Sequence, residues 1–141
     1  LKNELLPLAN LVTPNLHEAE ILSEEKIENL DDMKTAAVKI SNLGAKTVLI
    51  KGGHLKENAL DLLYFDGEFF EFTSPKIATK NNHGTGCTLS SAIACALGAN
   101  LDMKNAIIHA KDFVFKALSW NKQIGHGSGA IDHYFAIKSP F

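Results

Sequence analysis

The stretch "DDMKTAAVKISNLGAKTVLIKGG", residues 31–53, joins a helical pattern to a buried-strand pattern. Its first part spaces apolar residues by three and four, with Asp31 as N-cap and Gly44 as stop, which predicts a helix from Asp31 to Leu43. Its second part, "KTVLIKGG", is a β-branched run closed by glycines, which is typical of a strand covered on both faces. A helix followed by a buried strand indicates parallel winding, so the predicted fold class is α/β.

The segments on either side add one parallel and one antiparallel element. Upstream, "LANLVTPN" predicts a short buried strand that ends near Val12, because proline cannot continue a strand ladder. A short helix is expected from Leu16 to about Ser23. Downstream, "ALDLLYFDGEFFEFTSP" places Asp66 and Gly67 between two aromatic-rich runs, which predicts a β-hairpin attached to the parallel sheet.

Two further helices are predicted in the second half of the chain. The first runs from about Thr85 to Leu97, with Gly98 as its stop, and the second from about Asp102 to Trp120, with apolar residues repeating on one face. A chain of 141 residues lies inside the usual range of a single domain, so we expect one compact unit.

Composition argues against several classes of partner. The chain has 14 basic and 16 acidic residues, and every basic residue is lysine, so we expect no nucleic-acid partner. No apolar run approaches the roughly 20 residues that span a bilayer, and the first residues lack the pattern of a signal peptide. Cys87 and Cys95 are separated by about 12 Å along one predicted helix, too far for a disulfide. We therefore expect free thiols in a reducing compartment and a cytoplasmic protein.

Three segments share a position relative to the predicted elements. Residues 13–18 follow a strand, residues 51–53 end a strand, and residues 83–87 open a helix. Ligands of open α/β sheets bind beyond the carboxyl ends of the strands, where helices also present their N-terminal amides. The three segments are therefore expected to face one crevice.

The segment "HGTGC", residues 83–87, has the composition of an anion site at a helix N-terminus. A thiol in the first helical turn has its thiolate form favoured, which would suit Cys87 to act as proton acceptor or nucleophile. The alternative is a glycine-rich helix start in which Cys87 is a small packing residue. Lys51 alone is equally consistent with an ordinary surface lysine. Glu18 could hold a divalent cation, or could simply be a first-turn carboxylate favoured by the helix dipole.

Four segments together resemble a known family. "TPNLHEAEIL", "VLIKGGH", "TKNNHGTGCTLSSAIA" and "GHGSGAIDHYF" occur in the order and approximate spacing found in the hydroxymethylpyrimidine/phosphomethylpyrimidine kinases of thiamine biosynthesis, members of the ribokinase-like superfamily. The resemblance runs from end to end and identifies residues 1–141 as the carboxyl-terminal part of a single kinase domain. It implies a doubly wound, mostly parallel sheet flanked by helices, with an antiparallel hairpin and with the amino-terminal half of the fold missing.

The resemblance also implies an activity and a homodimeric full-length protein. Kinases of this family transfer the γ-phosphoryl group of ATP to 4-amino-5-hydroxymethyl-2-methylpyrimidine and then to its monophosphate. Cys87 occupies the position of the catalytic base, and the backbone of Gly84, Thr85 and Gly86 resembles the anion hole for the migrating phosphoryl group. We expect the isolated chain to be weakly active or inactive.

The same resemblance assigns binding residues in the first half of the chain. Lys51 is expected to approach the ATP phosphates, and Asn15 and Glu18 to lie near the magnesium–phosphate region, with Glu18 as the metal-binding residue. Thr13 and Gly53 join Lys51 and Asn15 as candidates for binding the nucleotide. The expected cofactors are therefore ATP and Mg²⁺.

Other functions remain open from the sequence. One is another vitamin kinase of the same superfamily, acting on hydroxyethylthiazole or pyridoxal. A second is a noncatalytic nucleotide-binding fragment. A third is a hydrolase or acyltransferase that uses Cys87 as nucleophile, although no histidine has a recognisable sequence relation to Cys87.

Overall fold

The computed structural model describes residues 2–53, 58–119, 126–127 and 129–138. The chain divides into two compact units, residues 1–76 and residues 77–141. The expectation that both belong to one kinase domain stays a prediction. The first unit contains a 3-10 helix at Leu6–Leu8, helices α1 (Leu16–Ser23) and α2 (Leu30–Asn42), and strands β1 (Thr47–Gly52), β2 (Asn58–Phe65) and β3 (Glu68–Pro75). The second unit contains helices α3 (Thr85–Gly98), α4 (Met103–Ser119) and α5 (His133–Lys138).

The three strands form an antiparallel sheet in the order β1-β2-β3. The predicted hairpin is confirmed: Phe65 pairs with Glu68, and the two residues between them, Asp66 and Gly67, have φ of 56° and 81°. Two successive positive φ values give the tight turn whose twist matches that of the flanking strands. The hairpin therefore owes its geometry to the Asp-Gly pair.

Parallel pairing is present next to β1, but only as isolated bridges. Val12 bridges Val48 and Asn15 bridges Lys51, both in the parallel sense. The Val12 amide donates to Thr47 at 3.0 Å, and Val12 accepts from the Leu49 amide at 2.8 Å. The strand predicted to end near Val12 is thus reduced to these contacts, because Pro14 has no amide hydrogen to extend a ladder. Within the described residues every named strand pairs antiparallel, so a mostly parallel, doubly wound sheet is not confirmed.

The core of the first unit lies between α2 and one face of the sheet. Met33, Ala36, Ala37 and Ile40 of α2 are fully buried and share a cluster with apolar residues of β1 and β2. The 3, 4 spacing read from the sequence is therefore the buried face of this helix. Val48, Leu49 and Ile50 are all 0% exposed, which confirms that β1 is covered on both faces.

The ends of α2 differ slightly from the prediction. The N-cap is Asn29, not Asp31, because the Asn29 side chain accepts from the amides of Asp31 and Asp32 at 2.9 and 3.0 Å. Asp32 completes a capping box by accepting from the Asn29 amide at 3.2 Å. Gly44, with φ of 109°, follows the helix as predicted. Asp31 instead adds a negative charge to the first turn, where the helix dipole favours it.

The second unit is built on α3 and α4. Gly98 is the last residue of α3 rather than its stop, and Asn100 takes the left-handed conformation beyond it, with φ of 66°. Helix α4 begins one residue later than predicted and is described to Ser119; Trp120 lies outside the described residues. Helix α5 was not foreseen. It packs near the end of α4 through a cluster formed by Ala117, Ile131 and Ala136. In the part of the chain that the structure describes, no helix combines the length and apolarity needed to cross a membrane.

Candidate active site

The candidate residues fall into two groups, one in each unit. In the first unit, the parallel bridge brings Asn15 and Lys51 side by side in the backbone. The Lys51 amide donates to the carbonyl of Pro14 at 2.8 Å. Lys51 is half-buried, as is Thr13, whereas Asn15 is exposed. The structure therefore joins the start of α1 to the carboxyl end of β1, and the single crevice expected for all three segments stays a prediction.

Asn15 and Glu18 are linked by a capping box at the start of α1. The Glu18 amide donates to Asn15 Oδ1 at 2.8 Å, and the Asn15 amide donates to Glu18 Oε2 at 2.7 Å. This pattern satisfies two of the amides that a helix leaves without partners at its N-terminus. Both side chains are exposed and so remain accessible to a ligand while they hold the helix end.

The end of β1 is shaped by close backbone packing and by a residue that sequence reasoning missed. A Cβ added to Gly52 would lie 2.5 Å from the Leu60 carbonyl oxygen, so only glycine fits there, whereas Gly53 has open space around it. The Gly52 amide donates to Asp61 Oδ1 at 3.2 Å. Asp61 is only 6% exposed. The sequence signal for Asp61 is that it is the single acidic residue in the apolar run "ALDLLYF".

In the second unit, α3 begins without a side-chain cap from the described residues. Gly84 is the N-cap, with φ of 89°, a left-handed conformation that favours glycine. The first helical hydrogen bond runs from the Thr88 amide to the Gly84 carbonyl at 2.9 Å. Helix geometry therefore leaves the amides of Gly86 and Cys87 without an intrahelical acceptor. The Thr85 hydroxyl donates a hydrogen bond to the Asn82 carbonyl at 2.6 Å.

Cys87 lies in the first turn of α3, at the third helical position, and is a free, exposed cysteine. Cys95, two turns further along the same helix, is also free and exposed. The thiol of Cys87 is thus accessible beside amides that lack helical partners. The anion site at the start of α3 and the catalytic role of Cys87 both stay predictions.

The glycine-rich loop near residue 126 is tied to the start of α3. His83 and Ala130 form a parallel bridge, and the His83 amide donates to the Gly129 carbonyl at 3.1 Å. A Cβ on Gly129 would overlap Asn81 Oδ1, so glycine is required for this approach. Two of the four motifs that carry the resemblance are therefore in direct contact within the second unit.

A second contact that sequence reasoning missed joins α3 to α5. The Thr88 side-chain oxygen lies 2.8 Å from His133 Nε2. Thr88 is 9% exposed and directly follows Cys87. This pair has no local signal in the sequence, because Thr88 and His133 are 45 positions apart. The contact anchors the first turn of α3, which carries the thiol.

The candidate metal residue fits one mode of magnesium binding. Among the described residues, no three His, Cys, Asp or Glu side chains cluster in a way that would hold a metal ion. Glu18 contributes one exposed carboxylate, with one oxygen accepting from the Asn15 amide. Mg²⁺ commonly binds through one or two carboxylates together with substrate phosphates and water. Glu18 therefore fits a site completed by a nucleotide, and does not fit a closed protein cage.

Comparison with known proteins decides the family. Residues 1–132 match the profile of the family described as phosphomethylpyrimidine kinase. The chain belongs to the phosphomethylpyrimidine kinase family. The match covers both groups of candidate residues, those around Lys51 and those around Cys87.

The curated relatives that this chain matches in the phosphomethylpyrimidine kinase family are about twice its length or longer. The hydroxymethylpyrimidine/phosphomethylpyrimidine kinase of Aquifex aeolicus is 50% identical over 133 residues, which cover 94% of this chain and 52% of the relative. The thiamine biosynthesis bifunctional protein of Geobacter sulfurreducens is 43% identical over 139 residues, covering 98% of this chain and 28% of the relative. The chain thus spans about half the length of the Aquifex aeolicus kinase.

Solved structures of related vitamin kinases share the fold. The ADP complex of Bacillus subtilis pyridoxal kinase aligns with a TM-score of 0.92 at 37% identity, covering 99% of this chain and 53% of that one. Pyridoxal kinase of Staphylococcus aureus with AMP-PCP gives a TM-score of 0.91 at 36% identity, covering 97% and 51%. Phosphomethylpyrimidine kinase of Clostridium difficile gives 0.70 at 39% identity, covering 84% and 47%.

Proposed function

We propose that this chain is the carboxyl-terminal part of a ribokinase-like kinase domain with a doubly wound sheet. The kinase uses ATP to phosphorylate 4-amino-5-hydroxymethyl-2-methylpyrimidine and then its monophosphate. The observation that carries the proposal is the exposed Cys87 thiol in the first turn of α3, beside amides without helical acceptors. The family match and the names of the relatives support the substrate class.

The start of α3 would stabilise the transferring phosphoryl group. Phosphoryl transfer spreads negative charge over the equatorial oxygens, and preorganised amides aimed at that charge lower the barrier. Gly84 turns the chain into the helix, and the backbone of Thr85 and Gly86 follows at the positive end of the helix dipole. The absence of a side-chain cap among the described residues leaves this end accessible to an anion.

Cys87 would act as the general base. Its thiolate would accept the proton of the substrate hydroxyl as the hydroxyl oxygen attacks the γ-phosphorus of ATP, while the bond from that phosphorus to the bridging oxygen breaks and ADP leaves. Such base assistance is typically worth about 10² to 10⁴ in rate. Its exposure gives a substrate hydroxyl access to the sulfur.

The first unit would hold the nucleotide phosphates. Lys51 offers a positive charge at the end of β1, and the open space around Gly53 lets a ligand approach the backbone there. Thr13 and Asn15 would contribute hydrogen-bonding groups to the nucleotide. Glu18 would hold Mg²⁺ jointly with the phosphates, and the bound ion would neutralise phosphate charge.

Pyridoxal phosphorylation is the second candidate, because pyridoxal kinases align with TM-scores of 0.92 and 0.91. The 50% identical relative and the family profile favour the pyrimidine. A panel of the hydroxymethylpyrimidine, its monophosphate, pyridoxal and hydroxyethylthiazole, each with ATP, separates the candidates. Preferred turnover of pyridoxal would replace the pyrimidine assignment.

A cytoplasmic homodimer completes the proposal. The two free cysteines are consistent with a reducing compartment. Light scattering of the complete gene product tests the dimer, and a monomeric mass at assay concentration would contradict it.

Replacement of Cys87 by alanine tests the mechanism. In the complete gene product, Cys87→Ala is expected to lower kcat by about 10² to 10⁴ while ADP affinity, measured by calorimetry, changes little. Cys95→Ala is the matched control, because Cys95 is an exposed thiol on the same helix away from its N-terminus. Unchanged turnover in Cys87→Ala would remove Cys87 from the mechanism.

A further inference from the structure

Residues 129–133 contact the start of α3 in two places, and the first is a backbone pairing at His83. The His83 amide donates to the Gly129 carbonyl at 3.1 Å, and the Ile131 amide donates to the His83 carbonyl at 3.4 Å. His83 directly precedes Gly84, the N-cap of α3. The pairing therefore fixes the backbone just before the helix begins.

The second contact lies just after Cys87. The side-chain oxygen of Thr88 and His133 Nε2 are 2.8 Å apart. A threonine hydroxyl can donate to an imidazole nitrogen or accept from its N–H, so this hydrogen bond forms with either tautomer of the ring. Thr88 is only 9% exposed, which limits competition from water. Residues 84–87 are thus bracketed by two contacts with one short stretch of chain.

Helix α4 supports both contacts. The Asp132 amide donates to the Ala117 carbonyl of α4 at 3.1 Å, and Ile131 is buried in a cluster with Ala117. The His133 ring lies near Phe113, with the ring centroids 6.4 Å apart, in the range of an aromatic contact. The contacts are therefore made from a well-packed part of the second unit, although His133 itself is exposed.

We propose that His133 is a positioning residue that holds the first turn of α3, and with it the Cys87 thiol, through its hydrogen bond to Thr88. The backbone pairing at His83 fixes one end of this segment, and the side-chain contact fixes the other. Preorganised groups lower a barrier only while they stay aimed at the reacting atoms, and a misplacement of about 1 Å can cost about 10²-fold in rate. The inference rests on the proposed function, in which the start of α3 binds the transferring phosphoryl group and supplies the general base.

Two substitutions of His133 separate positioning from packing. The amide group of glutamine lies about as far along its side chain as Nε2 of histidine, so His133→Gln retains a polar group that can reach Thr88. The amide group of asparagine lies closer to the backbone, so His133→Asn falls short of Thr88. Neither change disturbs the core, because His133 is exposed at the first residue of α5. A role confined to packing would make the two variants alike, since both lose the ring.

Steady-state kinetics of the complete gene product test the role in the reaction. His133→Asn is expected to lower kcat for the hydroxymethylpyrimidine by about 10- to 100-fold, whereas His133→Gln should stay within about threefold of the wild type. KM for ATP should change little in either variant, because the residues proposed to hold the nucleotide lie in the first unit.

A double-mutant cycle shows whether His133 acts through Thr88. Thr88→Val, which has nearly the shape of threonine without its hydroxyl, should lower kcat as His133→Asn does. Combining the two changes should lower kcat by less than about a further twofold, since both remove the same hydrogen bond. Equal kcat in the two His133 variants, losses that multiply in the double variant, or an effect on KM for ATP alone would overturn the proposal.

Hydrogen exchange detected by NMR tests the same contact without relying on activity. The Thr88 amide donates to the Gly84 carbonyl at 2.9 Å, which is the first helical hydrogen bond of α3. Its exchange is expected to be about fivefold faster in His133→Asn than in the wild type, the effect of losing one typical hydrogen bond that holds the turn. In His133→Gln the exchange rate should stay close to that of the wild type.

The amides of residues 91–97, further along α3, are the internal control and should exchange alike in all three proteins. Unchanged exchange at Thr88 in His133→Asn would refute the positioning role, even if the wild-type protein phosphorylated none of the substrates. Inactive wild-type protein with the expected exchange rates would refute the proposed function and leave the positioning of the α3 start standing.

Discussion

Among single residues, Glu18 has two roles that can be separated by mutation. Its Oε2 atom closes the capping box of α1 by accepting from the Asn15 amide, and its exposed carboxylate is the proposed magnesium-binding group. Closing the capping box needs only an oxygen acceptor at the third helical position, which glutamine also provides. Binding magnesium needs negative charge, because hard cations prefer carboxylates.

Glu18→Gln should therefore spare the fold and impair the use of magnesium. The free energy of urea unfolding is expected to change by less than about 0.5 kcal/mol, as for a surface substitution that retains its hydrogen bonds. The Mg²⁺ concentration for half-maximal kinase activity is expected to rise by about tenfold or more, the order of effect seen when groups that support a metal site are lost. Glu28→Gln, an exposed acid outside α1, serves as control. Identical magnesium titrations for Glu18→Gln and the control would show that Glu18 only caps the helix.

Residues with a local signature were found from the sequence, and residues defined by pairing were not. Gly84 and Cys87 lie at the start of α3 as predicted, because a glycine-rich stretch before an apolar helical pattern marks a helix N-terminus without reference to the rest of the chain. Asp61 was missed because an acid in an apolar run does not by itself show whether it is buried, and its burial depends on strand register, which is set by the whole sheet. His133 was missed for the same reason, since its partner Thr88 is distant in sequence.

At the level of helices and strands, the presence of each element was predicted better than its terminal residues or the pairing of the strands. The helix Leu16–Ser23 and the hairpin at Asp66 were predicted closely, because their apolar spacing and turn residues act locally. The cap of α2 shifted to Asn29 because asparagine and aspartate compete for that role, and only the backbone conformation decides between them. The predominantly parallel sheet was not found among the named strands, since pairing partners cannot be read from periodicity alone.

The start of α4 gives a prediction about pH. The pKa of the Asp102 carboxyl lies below its ordinary value, chiefly because the Asn105 backbone amide donates to it at 3.0 Å, and also because the Asn105 side chain donates to it at 2.6 Å. A carboxyl whose pKa is lowered by folding contributes stability above its unfolded pKa, and loses that contribution as the pH falls through its folded pKa. The contribution is therefore expected to be full at pH values well above about 4 and to be lost progressively as the pH falls further.

Asp102→Asn isolates this effect, because asparagine also caps helices but does not titrate. The urea midpoint of the wild type minus that of Asp102→Asn is expected to decrease from about pH 6 to about pH 2.5, with the other carboxylates cancelling in the difference. The group is fully exposed, so the change is expected to be small. A difference that stays constant over this range would contradict the hydrogen-bonding assignment at Asp102.

For the whole molecule, the relation between this chain and its relatives decides what it can do alone. The match to the Aquifex aeolicus relative covers 94% of this chain but only 52% of that protein. A kinase binds two substrates in a fixed geometry, and loss of groups that orient either one raises the barrier steeply. The proposed assignment puts the anion hole and base in this chain and the missing contacts in the part of the fold that it does not span.

The 141-residue chain by itself is therefore expected to be a poor pyrimidine kinase. Assayed in parallel with the Aquifex aeolicus relative, it should phosphorylate the hydroxymethylpyrimidine more slowly by roughly 10³-fold or more, because the missing half no longer orients the acceptor. Adding a fragment of that relative comprising the region outside the alignment should raise the rate. The same mixture made with Cys87→Ala should stay inactive, which would assign the recovered activity to the α3 terminus of this chain. Turnover by the isolated chain comparable to that of the relative would refute this division of the active site, because 141 residues would then suffice for binding and orienting both substrates.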